Sequence, residues 1–361
     1  MLLQQKRLLV LVSFAAATAA CAPPHVRLSH VAGPRACAAA VDAAGRLSAE
    51  PVSWLRPDDP GDRQVLDAWC DVVGPVVVRR AAAPGGPASA LAVVTWNARV
   101  GGGDLAGLVG ALRGGLLTGG RPVAHFVLLV QEAFRSGPAV PPASRDPRVV
   151  PGRIATAPAR GAREDVVRAA ERLDLHLYYV PSMRNGPGET LPLREDRGNA
   201  ILSTLPLDRL EALELPFERQ RRVAITARLS GTTGAGDPWA MRVVNVHLDN
   251  RAGASRLWLR SAAARARQAA ALVEHLPADL PLVLGGDLNT WMGDSEPALA
   301  MMRKAFPSAT PAAGAPPTFA GGLRLDYLFD RIPAGWRMTQ RRVDDRFASD
   351  HHPILGELRI R

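Results

Sequence analysis

From residue 91 onward the chain sets short apolar runs against polar or charged stops, a rhythm that predicts an α/β protein. Runs at 91–95, 125–130, 175–180, 199–203, 222–229, 241–246, 282–284, 323–329 and 354–360 have the length and residue types of strands. Between them, Asp104 caps a predicted helix with apolar positions at Leu105, Leu108, Val109 and Leu112. Further helices are expected at 163–173 and at 256–276, the latter with a stripe through Leu257, Ala264 and Leu272. Upstream, a helical turn is expected at 64–70 and a strand at 72–79, before a Pro- and Gly-rich linker at 81–88. Residues 22–88 read either as a small disulfide-tied appendage or as a strand and helix added to the main domain's edge.

The polar stops carry the chemistry. Asn97, Glu132, His247, Asp287 with Asn289, Asp326, and Asp350 with His351 each terminate an apolar run. Singly, each has an ordinary structural explanation: a turn residue, a helix-start charge, a satisfied core histidine. Jointly they fit those explanations badly, because buried strands should not repeatedly end in Asp, Glu, Asn and His without a shared purpose. The stretch 281–290 shows the pattern most clearly: Gly285 and Gly286 break an apolar run and allow a close turn. Asp287 and Asn289 then stand at i and i+2, on one side of an extended segment. A charged oxygen beside a neutral carbonyl oxygen suits a hard cation next to a phosphate.

Residues 1–20 read as an export signal, with basic Lys6 and Arg7, an apolar centre at 8–14 and small residues at 15–20. Ala19-Ala20-Cys21 resembles a lipoprotein cleavage site, although Thr18 stands where Leu is usual. Of three cysteines, lipidation of Cys21 would leave Cys37 and Cys70 as a disulfide pair; two buried thiols are the alternative. The chain is therefore expected to be exported, as a periplasmic or membrane-anchored lipoprotein or as a secreted protein, with a monomer as the default state. The net charge of +10 favours an acidic partner. All basic residues except Lys6 and Lys304 are arginine, a skew that also fits a coding bias, so charge alone names no partner.

The ordered set Thr95-Trp96-Asn97, Gln131-Glu132, Gly198-Asn199-Ala200-Ile201-Leu202-Ser203, Val244-Asn245-Val246-His247-Leu248, Gly286-Asp287-Leu288-Asn289, Leu325-Asp326-Tyr327-Leu328 and Ser349-Asp350-His351 resembles the endonuclease/exonuclease/phosphatase superfamily, DNase I-like in fold. The resemblance implies a four-layer α/β/β/α sandwich with its site at one rim of two sheets. It covers the chain from about Leu91 to the C-terminus, so that with the signal (1–20) and the N-terminal extension and linker (21–88) before it, residues 89–361 are expected to form the catalytic domain. It further implies attack of water on a phosphodiester or phosphomonoester. By the same resemblance, Glu132 is the principal ligand of Mg²⁺ (or Mn²⁺), helped by Asn97 and Asp350. Asp287 and Asn289 hold the attacking water and a phosphate oxygen, His351 is oriented by Asp326, and His247 is a second imidazole at the phosphate. Whether Asp287 or His351 is the base stays open.

Arg222 resembles an arginine that contacts substrate phosphate, with Arg221 as the alternative, and Asn199 lies near a phosphate-contacting position of the nucleases. Arg99 stands where abasic-site endonucleases carry a second Asp, which argues against that subfamily. The expectation is a divalent-metal-dependent phosphoesterase, a phosphodiesterase with nuclease-like chemistry, taking nucleic acid in preference to lipid. The alternatives are a phospholipid or sphingomyelin phosphodiesterase, for which Trp258 and Trp291-Met292 are candidate membrane-touching residues, and an inositol-phosphate phosphatase. A non-catalytic binding lipoprotein ranks last, because every expected site residue is present.

Overall fold

The computed structural model describes residues 26–31, 36–82, 86–142, 146–149, 163–185, 194–250, 258–307 and 315–361. The export signal, Cys21, Leu257 and the side chain of Trp258 lie outside the described residues. In chain order the strands are β1 (Leu28–His30), β2 (Ala40–Val41), β3 (Val52–Pro57), β4 (Val76–Arg79), β5 (Ala90–Asn97), β6 (Phe126–Ser136), β7 (His176–Arg184) and β8 (Glu195–Ser203). They continue with β9 (Leu207–Glu214), β10 (Val223–Thr232), β11 (Pro238–His247), β12 (Leu282–Asp287), β13 (Asp326–Arg331), β14 (Arg337–Arg342) and β15 (Ile354–Arg359). The helices are α1 (Pro60–Cys70), α2 (Leu105–Arg113), α3 (Val166–Arg172), α4 (Trp258–Glu274) and α5 (Pro297–Ala305).

Two sheets form, in the orders β1-β3-β9-β10-β11-β12-β13 and β14-β15-β5-β6-β8-β7-β4-β2. Strand alternation builds the layers. In β5, Leu91 and Val93 join the cluster shared with Ile225, Met241, Val243 and Val283 of the opposite sheet. Ala92, Val94 and Trp96 face the other way and pack with Leu108, Val109 and Leu112 of α2 and Ala169 of α3. On the far face of the other sheet, Val244, Val246 and Leu284 pack with Leu272 of α4 and Leu299 and Met302 of α5. The result is the expected α/β/β/α sandwich.

The extension adds strands to both sheets rather than forming an appendage. β1 and β3 continue one sheet beyond β9, while β4 and β2 continue the other beyond β7. A Cys37–Cys70 disulfide, with Cα atoms 5.1 Å apart, ties the segment before β2 to the end of α1. Closing that loop is worth about 4 kcal/mol on the chain-entropy view.

Several local expectations change. Gly285 and Gly286 do not break the strand; they belong to β12. A Cβ at Gly285 would sit 2.7 Å from the Thr95 Cβ, and one at Gly286 only 2.0 Å from the Val246 carbonyl oxygen. The glycines thus permit close contact between sheets and between strands. Strands β3, β9 and β14 and helix α5 were not legible as apolar runs; β14 alternates exposed with half-buried residues and is an edge strand. None of the described helices is long and apolar enough to cross a membrane.

Candidate active site

The site assembles where strand registers align polar residues across one rim. β11 runs parallel to β12 with His247 opposite Asp287, and β12 runs antiparallel to β13 with Asp287 opposite Asp326. Three candidate site side chains therefore stand in a row on adjacent strands. Asp326 opens β13 rather than ending an apolar run, and Asp350 and His351 precede β15. Antiparallel pairing brings these strand beginnings to the same rim as the ends of β5, β11 and β12.

Hydrogen bonds join the two sheets there. Asn97, at the end of β5, donates from Nδ2 to Asp287 Oδ2 at 3.0 Å and accepts the Arg99 N–H at 2.9 Å. Ser349 Oγ donates to the Asn97 carbonyl oxygen at 2.6 Å and accepts the His351 N–H at 3.1 Å. The Trp96 indole N–H donates to the His351 carbonyl oxygen at 3.2 Å. Lower in the interface, Gln131 Nε2 donates to Asn245 Oδ1 at 2.7 Å, and Asn245 Nδ2 donates to the Val130 and Ala200 carbonyl oxygens. This buried network fixes the sheets' relative register at the site.

Asp287 lies at the centre. Its Oδ2 is 3.6 Å from His247 Nε2 and 3.9 Å from His351 Nε2. Burial and the neighbouring Asp326 carboxylate push its pKa up to about 7, against the pull of His351 and two hydrogen bonds. His351 Nδ1 contacts Asp326 Oδ2 at 2.7 Å. Burial works against charge on that imidazole, but Asp326, helped by Asp287 and Asp350, outweighs it and raises the pKa to about 10. His247 moves the opposite way: burial first, then the charges of Arg222, Arg197 and His351, hold it well below the usual range. At neutral pH the rim thus pairs a cationic His351 with a neutral His247.

Asn289 is not on an extended segment, contrary to the i, i+2 expectation. It has φ of 51°, with its N–H bonded to Asp287 Oδ1 at 2.9 Å and its Nδ2 donating to the Leu248 carbonyl oxygen at 3.0 Å. The Asp287 side chain thereby closes a local turn that sets both residues. Glu132 is likewise not a strand end. It lies inside β6, at φ of 50°, where the pairing with β8 slips between Val130 and Ala133. The bulge re-aims its side chain. A second slip, between Pro181 and Met183, leaves Ser182 unpaired on the opposite side of β8.

These bulges frame a narrow pocket lined by Glu132, Ser182, Arg197, Asn199, Arg222 and His247. Asn199 Nδ2 donates to the Val223 carbonyl oxygen at 2.8 Å, which docks β8 beside the residue following Arg222. Arg221 is excluded as the pocket arginine. It is fully buried, bonded to Glu214 Oε1 at 2.7 Å and to the Pro181 carbonyl oxygen. Arg197 was missed by sequence reading, having no motif to mark it; its one signal was position i−2 from Asn199, on the same face of a strand. Phe319 was also missed: its ring centroid is 5.0 Å from that of His351, and Trp291 packs edge-on against it at 6.0 Å.

The donor set fits a hard cation. Asp287, Asp326 and His351 each place one potential ligand atom within 4.8 Å of the others; with His351 cationic and engaged by Asp326, the two carboxylates, including the buried and unpartnered Asp326 Oδ1, are the donors a cation would find there. The expected ligands Asn97, Glu132 and Asp350 are not members of that triad. Asn97 is hydrogen-bonded to Asp287, Glu132 lines the adjoining pocket, and Asp350 Oδ2 lies 3.8 Å from Arg99 Nε. Both described cysteines are consumed in the disulfide, leaving oxygen and imidazole donors. Of the α4 arginines whose side chains are described, Arg265 pairs with Glu296, and Arg267 with Glu218 and Asp62.

Comparison with known proteins adds to this geometry. An endonuclease/exonuclease/phosphatase from Beutenbergia cavernae DSM 12333 is 21% identical, covering 75% of this chain and 72% of that chain, with a TM-score of 0.51. An endonuclease/exonuclease/phosphatase family protein from Leptotrichia buccalis C-1013-b is 12% identical over 75% of this chain and 99% of that chain, with a TM-score of 0.47. The human Nocturnin catalytic domain is 17% identical over 79% and 97%, with a TM-score of 0.44. No curated protein matches the chain. A family model described as the Endonuclease/Exonuclease/phosphatase family matches residues 94–351, a span that runs from the strand bearing Asn97 to His351 and includes every residue of the rim. The chain therefore belongs to the endonuclease/exonuclease/phosphatase family, whose members hydrolyse phosphoester bonds.

Proposed function

We propose that this protein is an exported, divalent-metal-dependent phosphoesterase acting on phosphodiesters, with nucleic acid the favoured substrate class. The observation that carries the reading is the Asp287 cluster: two carboxylates and two imidazoles meet in one buried rim, where the pKa values of Asp287 and His351 are raised and that of His247 is lowered. Glu132, with Asn97 and Asp350, would hold Mg²⁺ or Mn²⁺, which when bound would neutralise phosphate charge. Asp287, titrating near neutrality, takes the proton of the attacking water on Oδ2. Asn97 and the Asn289 backbone hold that carboxylate in place. His351, cationic and fixed by Asp326, stabilises the phosphate and returns a proton from Nε2 to the leaving oxygen as its bond to phosphorus breaks. Neutral His247 offers a hydrogen bond to a phosphate oxygen. Export is supported by the disulfide, which belongs to an oxidising compartment, and membrane attachment through Cys21 remains part of the proposal.

Hydrolysis of double-stranded DNA, sphingomyelin and an inositol phosphate, each with Mg²⁺ and with EDTA, tests this directly. Metal-dependent DNA cleavage that His351→Ala removes is the expected result. Lipid or inositol phosphate turnover without DNA cleavage would move the substrate class. Absence of turnover on all three would sink the hydrolase reading.

A further inference from the structure

Nearly every buried arginine described in this chain has a dedicated partner. Arg56 and Arg221 share Glu214, Arg135 pairs with Asp196, Arg265 with Glu296, and Arg242 lies 3.7 Å from Asp279. Arg184 donates to the Val72 and Pro141 carbonyl oxygens. Arg197 and Arg222 break the rule. They are 7% and 3% exposed, neither has an ion pair with a described carboxylate, and in each, as in Arg242, the Nε is buried with no hydrogen-bond partner. Arg222 reaches only the neutral Gln220 side chain, at 2.8 Å. Both line the pocket that also holds Glu132 and His247.

Burying two like charges side by side, each short of a partner, is unfavourable unless an anion joins them. The fold holds them there nonetheless. Arg197 and Asn199 share a face of β8, and the Asn199 bond to the Val223 carbonyl oxygen docks that strand against the segment bearing Arg222. Gly198 between them cannot be anything larger, since a Cβ would meet the Val180 carbonyl oxygen at 1.9 Å. Asp249, Glu132 and Asp287 act on Arg222 through their charges without a direct ion pair, and Glu132 would be engaged by the metal in the proposed reaction, so the guanidinium forks stay open to an anionic substrate.

We propose that Arg197 and Arg222 form a clamp for a phosphate group carrying two negative charges, so that this enzyme selects substrates bearing a phosphomonoester. The group is either the scissile phosphate itself or a terminal phosphate next to a scissile diester. Guanidinium forks suit it through paired N–H donors. The inference rests on the phosphoesterase reading for its biological sense, but anion binding at the clamp does not require turnover.

Titration calorimetry with inorganic phosphate, on wild-type protein and on Arg197→Gln, measures the clamp directly. Phosphate affinity should fall about 30-fold or more in the variant, the scale of truncating one partner of a buried charge pair. In parallel, p-nitrophenyl phosphate is compared with bis(p-nitrophenyl) phosphate, and a 5′-phosphorylated oligonucleotide with its 5′-hydroxyl twin. A scissile monoester predicts a larger loss on p-nitrophenyl phosphate than on bis(p-nitrophenyl) phosphate. A terminal phosphate predicts a larger loss on the 5′-phosphorylated oligonucleotide than on its 5′-hydroxyl twin. Arg197→Lys keeps the charge and loses the fork, and serves if the Gln variant fails to fold; it should still weaken phosphate binding. Unchanged phosphate affinity in Arg197→Gln or Arg197→Lys would overturn the clamp, as would equal losses on all substrates. A wild-type protein that binds phosphate through Arg197 yet hydrolyses nothing would overturn the hydrolase reading alone.

Discussion

Replacing Asp326 with Asn isolates the electrostatics of the site. The carboxylate contacts His351 Nδ1 at 2.7 Å, and both side chains are buried. It is the main reason that His351 titrates at about 10 rather than at its ordinary 6.5. A pKa raised in the folded state contributes stability that is complete below the unfolded value and disappears as pH rises through the folded one. The window here is therefore pH 6.5 to about 10, and at about 1.4 kcal/mol per unit the full shift corresponds to about 5 kcal/mol. Removing one member of a buried ion pair costs about 3–5 kcal/mol. Relief of the repulsion between Asp326 and Asp287 returns part of this, so Asp326→Asn should lose about 3 kcal/mol at pH 6. Near pH 10 the difference should shrink towards zero. Urea unfolding at both pH values, in EDTA, measures it. Imidazole NMR should show His351 protonated to above pH 9 in wild type and titrating at or below its ordinary value in the variant. Equal destabilisation at both pH values, or a wild-type His351 that titrates near neutrality, would refute the reasoning.

Other substitutions probe separate parts of the argument. Asp287→Asn should abolish turnover while stabilising the fold by about 1–4 kcal/mol at pH 8, because a buried carboxylate with raised pKa penalises the folded state above neutrality; chemical denaturation with a parallel activity assay checks both. Glu132→Ala should lower kcat by about a thousandfold or more with little change in unfolding midpoint, read from steady-state kinetics and melting curves; near-wild-type activity would remove Glu132 from the site. Cys37→Ser should cost about 4 kcal/mol, and wild-type protein should lose the same amount on reduction with dithiothreitol. His247, whose pKa is depressed, should make stability fall as pH drops below its ordinary 6.5; His247→Asn should flatten that acid limb in urea titrations.

Much of the architecture was legible because burial on both faces of a strand leaves a readable mark. The runs that became β5, β6, β11 and β12 are almost wholly buried, so most of their residues before the polar stops had to be apolar. Edge strands escape that demand. β14 is bonded to one neighbour and half exposed, and its residues, Arg337 to Arg342, carry no apolar signature. The N-terminal extension was ambiguous for a related reason: short segments such as β1 and β2 are strands only because a sheet edge is there to accept them.

For the candidate site, residue identity and order along the chain singled out Asn97, Glu132, His247, Asp287, Asn289, Asp326, Asp350 and His351 as candidates, since polar groups recurring beside buried apolar runs are costly without a purpose. What the chain alone could not supply was their mutual geometry. The alignment of His247, Asp287 and Asp326 depends on strand register, the aim of Glu132 on a one-residue slip against β8, and the division between Arg221 and Arg222 on which one finds Glu214. Sequence determined which groups are present and which strands must be buried, because hydrophobicity is a local property of the chain. Tertiary structure decided which groups meet and how they titrate. Hydrogen bonding, desolvation and Coulomb interactions act over a few ångströms, between residues that only the folded sheets bring together.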